Sequence, residues 1–304
     1  MTMLASRLAL AALFAICLGW GASAREITHA MGTTDVPDNA QRVAILTNEG
    51  TEAILHLGVI PVGAAQSWDA DPFHQHLLPA LADTVSLGTE TAINLEVLAA
   101  LAPDLIIGTK ARQEKIYEQL SAIAPTVMSE TIGGTWLENY QFYGDVLGLG
   151  EQAKANVEAL EERAAALREA IGDGVNDEIS LVRFAPSRTR LYMHGSFPGV
   201  VLDLVGFKRP AAQDMPDTFV EIQKERVGEM DGDRIFYFSD DKNPAENLAW
   251  MNDWMADPLW QGLEAVKAGK AQRVSELKWN LGGGIFCAHM MIDDLADIYG
   301  VPRP

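Results

Sequence analysis

One stretch limits the architecture more than any other: EQAKANVEALEERAAALREAI, residues 151 to 171. Apolar positions fall at Ala153, Val157, Leu160, Ala164, Leu167 and Ile171, in steps of four, three, four, three and four. Those steps trace one face of an α-helix, and Glu, Lys and Arg fill the other. Gly172-Asp173-Gly174 stops it. At 1.5 Å per residue such a helix spans roughly 30 Å. That is long enough to bridge two lobes, although spacing alone equally allows an ordinary surface helix.

Both flanks of this helix read as α/β. Before it, RVAIL (42–46), VIPVGAA, LIIG and TVMS are short apolar runs that predict strands. TEAILHLG (51–58), NLEVLAALAP and EKIYEQLSAIAP predict helices. After it, EISLVRF, RLYM and RIFYF predict strands, and GVVLDLVGF, KERVGEM, WMNDWMADPLWQGL and GIFCAHMMIDDLADIYG predict helices. Such alternation implies a mainly parallel sheet with helices on both faces. A ligand would then sit between the lobes, at the strand ends.

The 304 residues suffice for two domains, and 48% apolar content can fill their cores. A formal net charge of −19 argues against general nucleic-acid binding, which needs basic patches. Residues 1–24 read as a signal peptide: Arg7 gives a positive n-region, LALAALFAICLGW the apolar core, and Ala22-Ser23-Ala24 a small-residue cleavage site. A lipoprotein would need a cysteine straight after small residues, but Cys17 follows Phe14-Ala15-Ile16. Export with maturation at Arg25 is expected. Cys287 is then left without an internal disulfide partner and is expected to be a small buried hydrophobe. With no other long apolar run, the mature protein is expected to be soluble.

The cations stand where a cleft would be. Lys110 and Arg112 follow the strand ending at Gly108, and Arg183, with Arg188 and Arg190 nearby, repeats the theme in the second half. Guanidinium forks suit carboxylates and similar anionic oxygens. Trp68, Tyr192, Phe197 and Trp279 lie in or beside predicted loops, and Trp279 before Gly282-Gly283-Gly284 suggests a ligand platform. The three glycines could cradle a phosphate at a helix start, but no P-loop lysine follows. His74 and His76, two apart with no cysteine or carboxylate cluster beside them, are a poor metal template and read as surface residues. Asp293, Asp294 and Asp297 read as solvating one helix. No GxSxG, HExxH, Walker or dinucleotide motif is present. Glu96 and Glu225 each open a predicted helix, one per half. An acid there is favoured by the helix dipole without any partner, but one carboxylate per lobe also suits a docking surface.

NLEVLAALAPDLIIG, EKIYEQLSAIAPTV, SFPGVVLDLVGFKRP, KERVGEMDGDRIFYF and WNLGGG, in this order, resemble the periplasmic iron-siderophore binding proteins of ABC importers. LAPDLIIG alone is shared with cobalamin- and haem-binding relatives. The stretch from Arg183 to WNLGGG looks more like the branch for ferric hydroxamates and citrate-based siderophores. The resemblance implies an α/β fold of two Rossmann-like lobes joined by a single long helix, with the ligand cleft between them and limited hinge motion. The expected division is an N-terminal lobe at 25–148, the linking helix at 149–172 and a C-terminal lobe at 173–304.

The implied function is capture of a ferric siderophore and delivery to an inner-membrane ABC permease, by a monomer with no nucleic-acid partner, no enzymatic activity and no cofactor. Iron(III) would be held by the siderophore's oxygens, not by protein metal ligands. Lys110, Arg112, Arg183, Tyr192, Trp279, Trp68 and Phe197 would bind the ligand. By motif Glu96 and Glu225 would meet permease arginines, although Gln223 replaces the family's usual serine two residues before the second glutamate. Two alternatives stay open: haem or cobalamin in the same fold, with Tyr192 and His194 as candidate haem ligands, and an exported α/β hydrolase.

Overall fold

The computed structural model describes residues 24–239 and 244–304, so the expected signal peptide, up to residue 23, lies outside the described residues. The first half builds a five-stranded sheet in the order Val85–Ser86, Gly63–Ala64, Val43–Ile45, Leu105–Thr109, Thr126–Ser129. All four pairings are parallel. Leu105–Thr109 sits in the interior with every residue buried, which is why its sequence is a continuous apolar run rather than an alternating one.

The second half builds another five-stranded sheet, in the order Phe219–Ile222, Arg188–Tyr192, Ile179–Ala185, Arg234–Ser239, Ala271–Arg273. This sheet is mixed rather than wholly parallel, although parallel pairings prevail across the two five-stranded sheets. Its first two pairings are antiparallel and its last two parallel. The cause is local. Only Pro186 and Ser187 separate Ala185 from its partner Arg188, and a two-residue connection allows a hairpin but not a crossover. Proline followed by Ser187 at φ 63° is the pattern of a type II turn.

The joining helix runs from Gly150 to Ile171. Ala153, Leu160, Ala164 and Leu167 are fully buried, while Val157 and Ile171 pack partly buried against the same cluster. That cluster is continuous through both halves, taking in Val43 and Ile107 from the first sheet, Leu181 and Phe236 from the second, and Leu295 near the C-terminus. The helix is thus core to both lobes. Polar contacts fix it further: Arg163 pairs with Asp293, and Arg168 donates to the Leu204 and Val205 carbonyls, which are left open at a helix end. Asp293, Asp294 and Asp297 therefore do more than solvate their helix. Asp294 holds Lys278 and the Trp279 indole, and Asp297 holds Arg303.

Cys287 is fully buried and free. The helix Trp136–Leu147 and the hairpin of Ala24–His29 with Gly32–Pro37 are elements the sequence reading left unassigned.

Candidate functional site

Several helices begin at the C-terminal ends of strands and point their first turns into one space. Thr47 caps Asn48–His56 by accepting from the Gly50 N–H, and Ser196 caps Phe197–Val205 by accepting from the Gly199 N–H. Asn48, Glu49, Ser196 and Phe197 all line the cavity between the lobes, whose volume is about 720 Å³. Exposed N–H groups and the positive ends of helix dipoles make such a place favourable to anions.

Four guanidiniums give the cavity its character. Arg112 comes from the first lobe, and Arg183, Arg188 and Arg190 from the second. The hairpin supplies the last three. Arg183 lies directly opposite Arg190, and Arg188 opposite Ala185, so the three share one face of the sheet. Like charges directly opposite repel, and carboxylates partly compensate. Arg183 Nε donates to Glu276 at 2.6 Å, with Glu276 buried. Arg190 donates to Glu221 at 2.8 Å and its guanidinium lies 4.0 Å from the Phe219 ring centre. Arg188 is exposed and has no carboxylate partner among the described residues. Arg112 Nε stands 3.5 Å from Glu90 Oε2, an ion-pair separation rather than a hydrogen bond. Glu90 Oε1 instead accepts from the backbone and side-chain nitrogens of Asn48, both at 2.7 Å.

Glu49 sits at the cavity wall with its carboxyl buried. Burial is the main reason its pKa is pushed up to about 8, and the nearby Glu90 charge raises it further. Donation from Gly133 N–H and Asn139 works the other way. Near neutral pH Glu49 is therefore mostly uncharged. Of the four lining arginines, Arg183 and Arg190 are offset by Glu276 and Glu221, Arg112 stands near Glu90, and Arg188 meets no carboxylate among the described residues, which leaves guanidinium donors on the cavity wall in a protein whose net charge is −19.

The structure brings five of the seven sequence-predicted ligand residues together: Arg112, Arg183, Tyr192, Trp68 and Phe197 all line the cavity. Two are elsewhere. Lys110 lies outside the cavity lining and pairs with Glu130 at 2.8 Å. Trp279 is fully buried, packed edge-on against Phe236 at 5.1 Å, with its indole N–H donating to Asp294 at 3.1 Å. A π-helical turn at Leu277–Leu281 rotates it inward and leaves Asn280, Leu281, Gly282 and Gly283 on the cavity wall. Phe219, Glu49 and Glu90 were missed by sequence. They stand in or beside short hairpins and a helix start, where no spacing rule marks a lining residue.

Glu96 and Glu225 are both exposed, in the first turns of Leu95–Ala100 and Lys224–Met230. Asn94 caps the first by accepting from the Val97 N–H, whereas Gln223 makes no side-chain cap to the second. His194 has both ring nitrogens occupied, by Asp203 at 2.7 Å and Asp214 at 2.8 Å. His74 is buried and most of the His76 side chain is covered, so neither is the surface residue that its spacing suggests.

A family model described as periplasmic binding protein matches residues 43–274. The probable siderophore-binding lipoprotein YfiY of Bacillus subtilis (strain 168) is 43% identical over 280 residues, 89% of this chain and 86% of its own length. The achromobactin-binding periplasmic protein of Dickeya dadantii (strain 3937) is 32% identical over 273 residues, 86% of this chain and 87% of its own. Among solved structures, Staphylococcus aureus SirA complexed with staphyloferrin B superposes with a TM-score of 0.86 at 32% identity, covering 92% of this chain and 100% of SirA. With a family model spanning most of its length and relatives matched nearly end to end, this chain belongs to the periplasmic binding protein family.

Proposed function

We propose that the protein captures an anionic ferric siderophore outside the cytoplasmic membrane and hands it to an inner-membrane ABC permease. The observation that carries this reading is the inter-lobe cavity of about 720 Å³ on which four arginines from two lobes converge. Iron(III) travels inside the siderophore's own oxygen shell. The guanidiniums offset the charge of the complex, and Trp68, Tyr192, Phe197 and Phe219 cover its apolar parts. The names of the relatives support the same class of ligand: siderophore, achromobactin and staphyloferrin B. A binding role, rather than catalysis, fits these relatives. Haem is less well served, because His194 is held on both ring nitrogens by aspartates.

Two finer points belong to the same reading. The chain is released as a monomer after cleavage before Arg25, without a lipid anchor, even though the relative YfiY is named a lipoprotein. An intact mass beginning at Arg25 with no added lipid is the expected result. Glu96 and Glu225 are the carboxylates that meet the permease. The central experiment titrates purified mature protein with ferric siderophores, bare iron(III), haem and cobalamin while following tryptophan fluorescence. A saturable response to an anionic ferric siderophore, and none to bare iron(III), is expected. Tight binding of haem or cobalamin with no siderophore bound overturns the proposal.

A further inference from the structure

Away from the arginine wall, three metal-capable side chains meet where the two halves of the chain join. Glu52 is fully buried on the helix Asn48–His56, His76 lies in the loop that follows the Gly63–Ala64 strand, and Cys287 is fully buried at the start of Ile285–Tyr299. Glu52 Oε1 is 3.0 Å from Cys287 Sγ and 3.0 Å from His76 Nε2. One donor atom from each of the three residues lies within 4.8 Å of the other two. Glu52 Oε2 accepts from the Cys287 backbone N–H at 3.1 Å, which fixes the carboxylate's orientation. The His74 ring stacks beside His76 at 5.8 Å, buried, with Nδ1 lacking any partner.

The chain makes room for this meeting. A Cβ on Gly282 would fall 2.1 Å from Cys287 Sγ and 2.7 Å from Glu52 Oε1, and one on Gly284 would fall 2.7 Å from Glu52 Cβ. Two of the three glycines after Trp279-Asn280-Leu281 are thus explained by the approach of Glu52 and Cys287.

We propose that Glu52, His76 and Cys287 form a site for one borderline transition-metal cation such as zinc(II), linking the two halves of the chain. The donor set selects the class. A thiolate, an imidazole and a carboxylate suit zinc or cobalt(II), whereas magnesium and calcium want oxygen alone. Tetrahedral bonds of about 2.0 Å to N and O and about 2.3 Å to S need donors a little over 3 Å apart. The 3.0 Å separations therefore require only a small opening. The cation takes the place of the thiol proton, which leaves to solvent, and binds His76 through Nε2 with the imidazole proton carried on Nδ1, an atom that has no hydrogen-bond partner. Water fills the fourth position. A second cavity of about 320 Å³, lined by His74, Gln75, Leu277 and Leu281 among others, lies beside the segments that carry the cluster.

Cobalt(II) gives a decisive test. Cys287 is the only cysteine after Cys17, so any thiolate-to-cobalt charge-transfer band in the mature protein reports this residue. Purified mature protein, free of chelators and siderophore, should bind one equivalent of cobalt(II) with that band and four-coordinate visible absorption, and zinc(II) should displace it. Cys287→Ser should abolish the band. His76→Ala, with its fold checked by circular dichroism, should weaken cobalt(II) binding at least about tenfold, the scale set by losing even a supporting contact at such sites. Absence of the band under cobalt(II) excess, or a band of unchanged affinity in His76→Ala, overturns the proposal. Siderophore affinity of His76→Ala is measured separately and does not decide it.

Discussion

Arg183 and Arg188 occupy neighbouring strands of one hairpin, yet their substitution should read differently. Arg188 has no carboxylate partner among the described residues, so Arg188→Ala should weaken siderophore binding tenfold to a hundredfold, the equivalent of about 1.5–3 kcal/mol for a lost charge-assisted hydrogen bond, and leave the melting temperature unchanged. Arg183→Ala also strips the buried Glu276 of its 2.6 Å partner. It should weaken binding and in addition cost stability, up to about 3–5 kcal/mol where a buried pair is broken. Calorimetric titration and thermal melts on both variants separate the two; equal melting temperatures would remove the structural role given to Glu276. Tryptophans divide in the same way. Trp68→Phe should abolish much of the fluorescence change on ligand binding, because Trp68 lines the cavity. Trp279→Phe should leave that change largely intact and lower stability by about 1–3 kcal/mol, since the Asp294 carboxylate loses its indole donor. The reverse pattern would put Trp279 at the ligand. Sequence located Arg112 and Arg183 because cations after strands in an α/β chain face the cleft. It misread Trp279 because the glycines beside it signalled an open loop, while their partner, Glu52, is some 230 residues away along the chain.

At the scale of elements, the periodic segments and apolar runs were legible, down to the strand Thr126–Ser129, while the sense of strand pairing was not. Helix-period and strand-like runs announce the joining helix and the strands Leu105–Thr109 and Ile179–Ala185, because each buries a regular face or is buried on both. The Pro186-Ser187 hairpin was not legible. Two adjacent apolar runs look alike whether they pair antiparallel or cross over, and only the turn length distinguishes them. The loss matters, since that hairpin aligns three arginines on one face. The capped start of Asn48–His56 carries a second hidden feature, Glu49. Its pKa rises from 4.5 to about 8 through burial first and the Glu90 charge second. A carboxyl with a raised folded-state pKa contributes its stability fully below the unfolded value near 4.5, and loses it as pH climbs through about 8. At about 1.4 kcal/mol per pH unit, the loss is on the order of 5 kcal/mol. The difference in unfolding free energy between the natural protein and Glu49→Gln should therefore fall from pH 4.5 to 8, measured by denaturant titration at several pH values. A difference that stays flat with pH would mean that Glu49 is not held neutral. Siderophore affinity should decline over the upper part of the same window, as a new negative charge appears on the cavity wall.

The whole molecule must do two things at once, hold a ligand between the lobes and present both lobes to a membrane partner. The core cluster that runs through the joining helix into both lobes favours a body in which the lobes keep their relation and the outer surface carries the address. Glu96 and Glu225 are suited to that task. Each is exposed at a helix start, one per lobe, and neither lines the cavity. Exposed ion pairs are worth only about 0–1 kcal/mol, but partly desolvated interface pairs reach several times that. The double substitution Glu96→Ala with Glu225→Ala should leave siderophore affinity almost untouched and sharply reduce uptake in cells, or stimulation of the transporter's ATPase in liposomes. If the two carboxylates serve only their helix dipoles, the outcome differs. Each loss should then cost about 0.3–1 kcal/mol of stability with normal transport. Glu225 is the more telling of the pair, because Gln223 supplies no side-chain cap to its helix. A purely local role predicts that Glu225→Ala destabilises more than Glu96→Ala, whose helix keeps the Asn94 cap. A docking role instead predicts similar transport losses from both, whatever their melting temperatures. Normal transport in the double variant, alongside lowered stability, would take the docking surface away from these two residues and leave delivery to another part of the lobes.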